Sequence, residues 1–259
     1  MSSSSQTTRF TIEKAIDVKT KRLSTGCLKL DEVLNGGLPT RGIIEISGES
    51  GSGKSQLCMQ LSLTVQYPLQ SGGLNGGAVF ISTEEYFSSK RLQQLILNFP
   101  SKYYQDPKRS IKFSDNIFVE HINCYDLLYQ CLSKRVPILA CKRNIRLVII
   151  DSIAAIFRNA YPSFKNQKRA ADMREIGNTL HWLCAKFDIM IVCVNQVTSD
   201  LSSIINQDVP ALGLAWANLI THRIQLYKKP YSRKFQIVFS PELPPQSVDF
   251  VIQDCGIVE

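Results

Sequence analysis

The chain has 259 residues, 44% of them hydrophobic and 20% charged, the balance of a globular domain rather than of a disordered chain, a coiled coil or a collagen. No apolar run reaches the roughly 18 residues a membrane-spanning helix needs, and the Ser/Thr/Gln-rich first residues lack the apolar stretch of a secretory signal, so the cytosol or nucleus is expected. Lysine and arginine number 30 against 22 acidic residues, a net charge of +8, which favours a polyanionic partner without naming one.

Residues 1–22 are polar and basic, close on Lys19, Thr20, Lys21 and Arg22, and read as a tail or linker ahead of a core spanning 23–259. Phe10 and Ile12, the first apolar residues after Met1, fit a short docking strand or local packing on the chain's own core. Ile43–Ser47 is a short apolar run, a Gly-rich turn follows, and Leu57, Leu61 and Val65 recur four apart as in a helix. Gln70–Gly77 is a loop broken by glycines, and Ala78–Ser82 is a second strand. Leu92, Leu95, Ile96 and Phe99 mark a second helix. Ile117–Val119 is a third strand, Tyr125–Leu139 a mixed helical segment and Leu147–Ile150 a fourth strand. Met173, Ile176, Leu180, Leu183 and Phe187 form the apolar stripe of a long helix, and Ile189–Val194 is a fifth strand. Short apolar strands alternating with helices specify a parallel sheet covered on both faces. The pattern then changes: Arg223–Tyr227 and Phe235–Phe239 alternate around a basic turn with Pro230, as in an antiparallel hairpin, and Phe250–Ile252 is a last strand.

Eight cysteines occur, Cys27, Cys58, Cys124, Cys131, Cys141, Cys184, Cys193 and Cys255. None has the spacing of a zinc site, and several lie in apolar periodic segments, so they read as reduced core residues.

The chemistry is concentrated in Gly48, Glu49, Ser50, Gly51, Ser52, Gly53, Lys54 and Ser55, which fit the phosphate-loop pattern G-x-x-x-x-G-K-[ST] between a strand and a helix. Glycines let backbone N–H groups curl around phosphates, and the helix N-terminus adds positive potential. Lys54 is placed to contact the β- and γ-phosphates of ATP and Ser55 to ligate Mg²⁺. Asp151 ends an apolar strand, as a carboxylate facing phosphate-bound Mg²⁺ must, directly or through water. Two further strands run into Glu84 or Glu85 and into Asn195 and Gln196. Ligands of open α/β sheets bind at the carboxyl ends of strands, so these groups converge on one nucleotide. Glu84 is the candidate base that orients water, and Gln196 can sense the γ-phosphate.

Together with "LSTGCLKLDEVLNGGLP" (23–39), "GESGSGKSQL" (48–57), "GGLNGGAVFISTEEYFSSKRLQQL" (72–95), "LVIIDSIAAIFR" (147–158), "VNQVT" (194–198), "ALGLAWAN" (211–218) and "FSPELPP" (239–245), these motifs resemble the eukaryotic RecA-type recombinase paralogues, mediator subunits of homologous recombination. The resemblance covers about residues 23–258. It implies an α/β RecA-type P-loop ATPase core with a mostly parallel twisted sheet flanked by helices and C-terminal antiparallel strands. It also implies ATP and Mg²⁺ as cofactors, Glu84 as catalytic glutamate with Lys54 and Gln196, and Arg91 packed on the adenine beside Gln56 of the phosphate-loop helix. A first DNA loop falls near Arg158–Arg169, with Arg158, Lys165, Lys168 and Arg169 as candidate DNA contacts and Tyr161 and Phe164 as stacking residues or inward-packed aromatics. The implied partners are a sister paralogue in a heterodimer, the recombinase filament, and single-stranded or branched DNA. No membrane is implied, and the compartment is the nucleus, with the cytoplasm also open to it.

The departures from the family pattern bear on activity. Glu85 stands where active recombinases have glycine, and the second DNA loop, Thr198–Pro210, has Asp200 and Asp208 and no lysine or arginine. Phe239 replaces the aspartate that caps ATP on a neighbouring subunit. The family's N-terminal helical lobe is expected to be absent, and the inter-subunit Phe-x-x-Ala plug is not matched at Phe10. A weakly hydrolysing subunit of a DNA-repair complex fits these departures. A strand-exchanging, DNA-dependent ATPase and a RecA-fold ATPase acting away from DNA are the alternatives.

Overall fold

The computed structural model describes residues 21–99, 112–159, 161, 166–199, 208–210 and 212–259. A short antiparallel pair opens it: β1 (Arg22–Leu23) and β2 (Leu38–Pro39) bracket helix α1 (Leu28–Val33). Asp31 organises this turn, accepting hydrogen bonds from the Thr25 amide at 2.7 Å and from the Ser24 and Thr25 hydroxyls at 2.5 and 2.8 Å. Arg22, assigned above to the tail, belongs to the fold. Its guanidinium donates to the Leu34 and Gly37 carbonyls and pairs with Glu242 at 2.9 Å.

The α/β core follows in the order β3 (Ile43–Gly48), α2 (Lys54–Thr64), β4 (Gly77–Ser82), α3 (Ser89–Asn98), β5 (Ile117–His121), α4 (Tyr125–Gln130), α5 (Val136–Arg143), β6 (Ile145–Asp151), α6 (Ile153–Asn159), α7 (Asn166–Phe187), β7 (Met190–Ser199), β8 (Asp208–Pro210) and α8 (Gly213–Ala217). The strands β9 (His222–Lys228), β10 (Arg233–Phe239), β11 (Ser247–Gln253) and β12 (Gly256–Val258) complete the chain. Among the described residues one ten-stranded sheet runs β12-β11-β10-β9-β3-β7-β6-β4-β5, with β8 attached to β7. From β9 to β5 every pair is parallel; β10, β11 and β12 add antiparallel pairs.

The central strands are apolar on both faces because both are covered. Ile44, Ile46, Phe80, Leu147, Ile149, Val192 and Val194 point to the face packed by α2 and the C-terminal strands. The alternate residues Ile43, Val79, Ile81, Val148, Ile150 and Ile191 meet α6 and α7 on the other. Helix α2 has no polar stripe: Leu57, Cys58, Met59, Gln60, Leu61, Ser62, Leu63 and Thr64 are all buried, since the edge strand β12 lies against it as well as the central strands. Its one long polar side chain there, Gln60, donates to the Thr25 carbonyl at 2.7 Å and accepts from the Ile257 amide at 2.7 Å. A Cβ at Gly256 would come within 2.2 Å of the same amide oxygen, so a side chain there would displace Gln60 from its hydrogen bonds.

Several details differ from the sequence expectation. The mixed helical segment divides into α4, a π-helical turn over Cys131–Arg135 and α5. Pro137 in the first turn of α5 lacks the N–H that would continue the ladder behind it. Strand β7 continues past Val194 to Ser199 and pairs Thr198 with Val209 of β8, so both ends of the expected second loop are strand; residues 200–207 lie outside the described residues. Likewise β9 does more than form a hairpin, entering the sheet parallel to β3. Cys27, Cys58, Cys131 and Cys193 are buried as expected, whereas Cys141 is exposed at the last turns of α5 and Cys124, Cys184 and Cys255 are only half-buried. No described helix is long and apolar enough to cross a membrane.

Candidate nucleotide site

The carboxyl ends of β3, β4, β6 and β7 open into a cleft of about 1040 Å³ lined by the phosphate loop, Glu84, Arg91, Asp151 and Gln196. The loop's shape follows from its glycines. Gly48 ends β3 beside β9, and a Cβ there would lie 2.3 Å from the Leu226 carbonyl oxygen. Gly51 and Gly53 take φ of +76° and +105°, the left-handed region that side chains disfavour. The chain thereby folds back over the start of α2. Lys54 Nζ donates to the carbonyls of Gly48 and Glu49 at 2.8 and 2.7 Å. The buried Ser52 hydroxyl has no partner, and Gln56 and Ser50 complete the rim.

Ser55 donates to Asp151 at 2.6 Å, bringing a hydroxyl and a carboxylate together at the mouth of the loop. Burial pushes the Asp151 carboxyl up, opposed by the Ser55 hydrogen bond and by Lys54; burial likewise pushes the Lys54 ammonium down, opposed by Asp151. Both groups are short of counter-charge. A polyphosphate for Lys54 and a divalent cation for Asp151 would supply it. The glycine cradle, the orphaned Ser52 hydroxyl and this hard oxygen pair fit ATP with Mg²⁺, whose remaining ligands would be phosphate and water oxygens. Among the described residues no three His, Cys, Asp or Glu side chains gather as a metal site of their own.

Strand ends are pinned to one another. Thr83 donates its amide to the Asp151 carbonyl at 2.9 Å and its hydroxyl to the Ser152 carbonyl at 2.7 Å, and accepts from the Ser152 amide at 2.8 Å. Glu84 therefore leaves β4 in a fixed position. Gln196 donates to its Oε2 at 2.6 Å, and Arg158 donates both to Glu84 Oε1 and to the Gln196 side-chain oxygen. Arg91 sits at the other end of the cleft, held by Gln56 at 2.7 Å, Gln94 at 2.5 Å and the Gln253 and Asp254 carbonyls at 2.7 and 3.2 Å.

Behind the cleft lies a second polar cluster. Glu45 of β3 is fully buried and accepts from Asn195 at 2.8 Å, Trp216 at 2.9 Å and Arg223 at 2.5 Å. It ties the phosphate-loop strand to the residue beside Gln196, to α8 and to β9.

The four candidate DNA residues do not share a loop. Arg158 is in the last turn of α6, facing Glu84, while Lys168 and Arg169 are in the first turn of α7; Lys165 lies outside the described residues. Tyr161 stacks on Phe157 with centroids 6.0 Å apart and donates to Asp172, the inward-packed alternative; Phe164 lies outside the described residues. Phe239 is 54% exposed and pairs with Arg223 at the end of the sheet opposite the cleft. Sequence reasoning missed Arg233, Ile252, Gln253 and Asp254 as cleft residues. Only the antiparallel register of β10 and β11 brings them over the phosphate loop, and no local pattern announces it.

A sequence profile of the Rad51 family matches residues 18–259. The chain belongs to the Rad51 family. This Rad51-family chain is 39% identical to the DNA repair protein XRCC3 of Bos taurus, in an alignment covering 92% of the chain and 74% of the relative. It is 37% identical to the DNA repair protein rhp57 of Schizosaccharomyces pombe, covering 94% and 80%, and 33% identical to the XRCC3 homologue of Arabidopsis thaliana, covering 92% of each. Membership implies a RecA-like, ATP-binding core.

Proposed function

We propose that this chain is an ATP-binding, weakly hydrolysing recombinase-paralogue subunit. In this reading it acts in homologous-recombination repair of DNA double-strand breaks, as a mediator of recombinase filament assembly within a heteromeric complex. The observation that carries it is the meeting of the phosphate loop, the Ser55–Asp151 pair and the Glu84–Gln196 pair in one cleft. Family membership and relatives named as DNA repair proteins support the biological setting.

Lys54, which now donates to its own loop's carbonyls, would hold the β- and γ-phosphates together with the backbone amides of the loop from Gly48 through Ser55. Ser55 and Asp151 would hold Mg²⁺. When bound, Mg²⁺ neutralises phosphate charge for in-line attack. Glu84 orients the attacking water and accepts its proton. Arg91 offers a flat guanidinium face to the adenine. Gln196, in the second half of β7, would hydrogen-bond the γ-phosphate and couple its position to that strand. DNA, single-stranded or branched, is contacted through Arg158, Lys165, Lys168 and Arg169. A sister paralogue completes a heterodimer that engages the recombinase filament, in the nucleus. The acidic second loop and Phe239 favour a subunit over a self-sufficient filament former. The paired Glu84 and Gln196 favour the second reading, an active strand-exchange recombinase.

Native mass of the tagged protein, purified from its own cells with ATP and Mg²⁺, separates the two. A discrete species with one sister paralogue supports the mediator reading; long homopolymers on single-stranded DNA without a second protein overturn it. Glu84→Gln is expected to lower turnover by about 10²- to 10⁴-fold while ATP affinity is kept. Undiminished turnover would refute Glu84 as the base.

A further inference from the structure

Arg158 is exposed but already paired. Its side chain is 46% exposed and that of Glu84 33% exposed, and the two form an ion pair across the rim of the cleft. The same guanidinium reaches the side-chain oxygen of Gln196, whose amide nitrogen donates to the second carboxylate oxygen at 2.6 Å. The Ser152 hydroxyl stands 3.5 Å from that second oxygen. Both oxygens of Glu84 are therefore engaged by protein donors, two of which are fixed to other elements. A general base needs an oxygen directed at its water, and here both oxygens point at protein donors instead. The arrangement is a resting one.

Helix α6 sets where Arg158 can go. Ile153, Ala154, Ile156 and Phe157 are buried against the face of the sheet opposite α2, so the helix body is anchored while its last turn reaches the cleft rim. The holding contact is weak. An exposed arginine–carboxylate pair shifts an equilibrium by no more than about 5-fold. A guanidinium also matches phosphate oxygens in bidentate geometry, and a nucleic-acid backbone offers many phosphates with a counterion-release gain at each contact.

Resting on the nucleotide-site reading above, we propose that Arg158 is a latch which holds Glu84 out of catalysis and is drawn off by the phosphate backbone of single-stranded DNA, so that polyanion binding and release of the base are one event. Arg158 is thus a positioning residue for Glu84. Because coupling free energy is reciprocal, Glu84 also restrains Arg158 from binding DNA. That restraint can be measured without any catalytic turnover.

The test is a double-mutant cycle on binding of a fluorescein-labelled oligothymidylate, read by anisotropy with Mg²⁺ and ATP present, using wild type, Glu84→Gln, Arg158→Gln and the double variant. Glu84→Gln is expected to tighten binding by about 2- to 5-fold by freeing Arg158, and the gain is expected to vanish when Arg158 is already Gln. Tightening of equal size in both backgrounds, or none in either, overturns the latch. Inorganic polyphosphate as competitor identifies the source: displacement of oligothymidylate with the same variant pattern overturns DNA as the specific trigger. In parallel, Arg158→Gln is expected to raise DNA-free ATP turnover and to abolish its stimulation by oligothymidylate, with Arg158→Lys intermediate. Full turnover in Glu84→Gln would sink the assignment of the base. Lost turnover with an additive cycle would sink only the latch.

Discussion

Gly48 shows how narrowly the phosphate loop is specified. A methyl group there would meet the Leu226 carbonyl oxygen at 2.3 Å, whereas a Cβ at Gly51 meets nothing within 4 Å. Gly48→Ala is therefore expected to lower stability by about 1–3 kcal/mol through overpacking, and Gly51→Ala to cost less; thermal melts without nucleotide compare them. Lys54→Ala is expected to weaken ATP binding by about 10- to 100-fold, the worth of a charged hydrogen bond, as read by fluorescent-nucleotide titration. These residues were legible in the sequence because the motif is contiguous and its strand–loop–helix setting is local. Arg158 was legible only as a basic residue. Its contact with Glu84 joins positions 74 apart, and the family resemblance, which places Arg158 at a DNA loop, does not hint at an intramolecular carboxylate.

Elements raise a different question, namely what holds β3 in register. Glu45 answers part of it, since its buried carboxylate serves donors from β7, α8 and β9 at once. Glu45→Ala strands Arg223 without its counter-charge and leaves the Asn195 and Trp216 donors without an acceptor. The expected cost is about 3–5 kcal/mol, a fall in melting temperature of about 6–20 °C, measured by circular dichroism or calorimetry. A loss below about 1 kcal/mol would mean the network is dispensable. In the sequence, Ile43–Ser47 reads only as a short apolar run, and nothing local marks Glu45 as a shared acceptor. The alternation of strands and helices revealed the parallel core, because fully apolar runs are the signature of strands covered twice. The short pair β1–β2, α1 and α8 left too few periodic residues to be seen. The insertion of β9 beside β3 depends on a connection across the whole fold, which no window of sequence contains.

On the scale of the whole molecule, pH acts through His222. The imidazole is buried; its Nδ1 is 2.9 Å from the Ser240 hydroxyl and its Nε2 4.0 Å from Glu242, which is itself paired with Arg22. Burial holds its pKa below the ordinary value, against the pull of Glu242 and an Arg41 backbone contact, with Arg22 adding to the depression. The unfolded chain then takes up this proton before the folded one does. Stability from His222 is complete above about pH 6.5 and falls as the pH drops toward the folded value. Urea unfolding between about pH 7.5 and 5.5 is expected to show this slope, and His222→Gln to flatten it; an unchanged slope would assign the dependence to other groups. Gln60 carries a consequence of another kind. One side chain in the middle of the nucleotide helix clasps Thr25 on one side and Ile257 on the other. Tension applied between those two positions is carried in part through this one side chain, inside the ATPase core. The clasp sits on the helix that begins with Lys54, so load carried through it would reach the same helix that presents the phosphate-binding lysine.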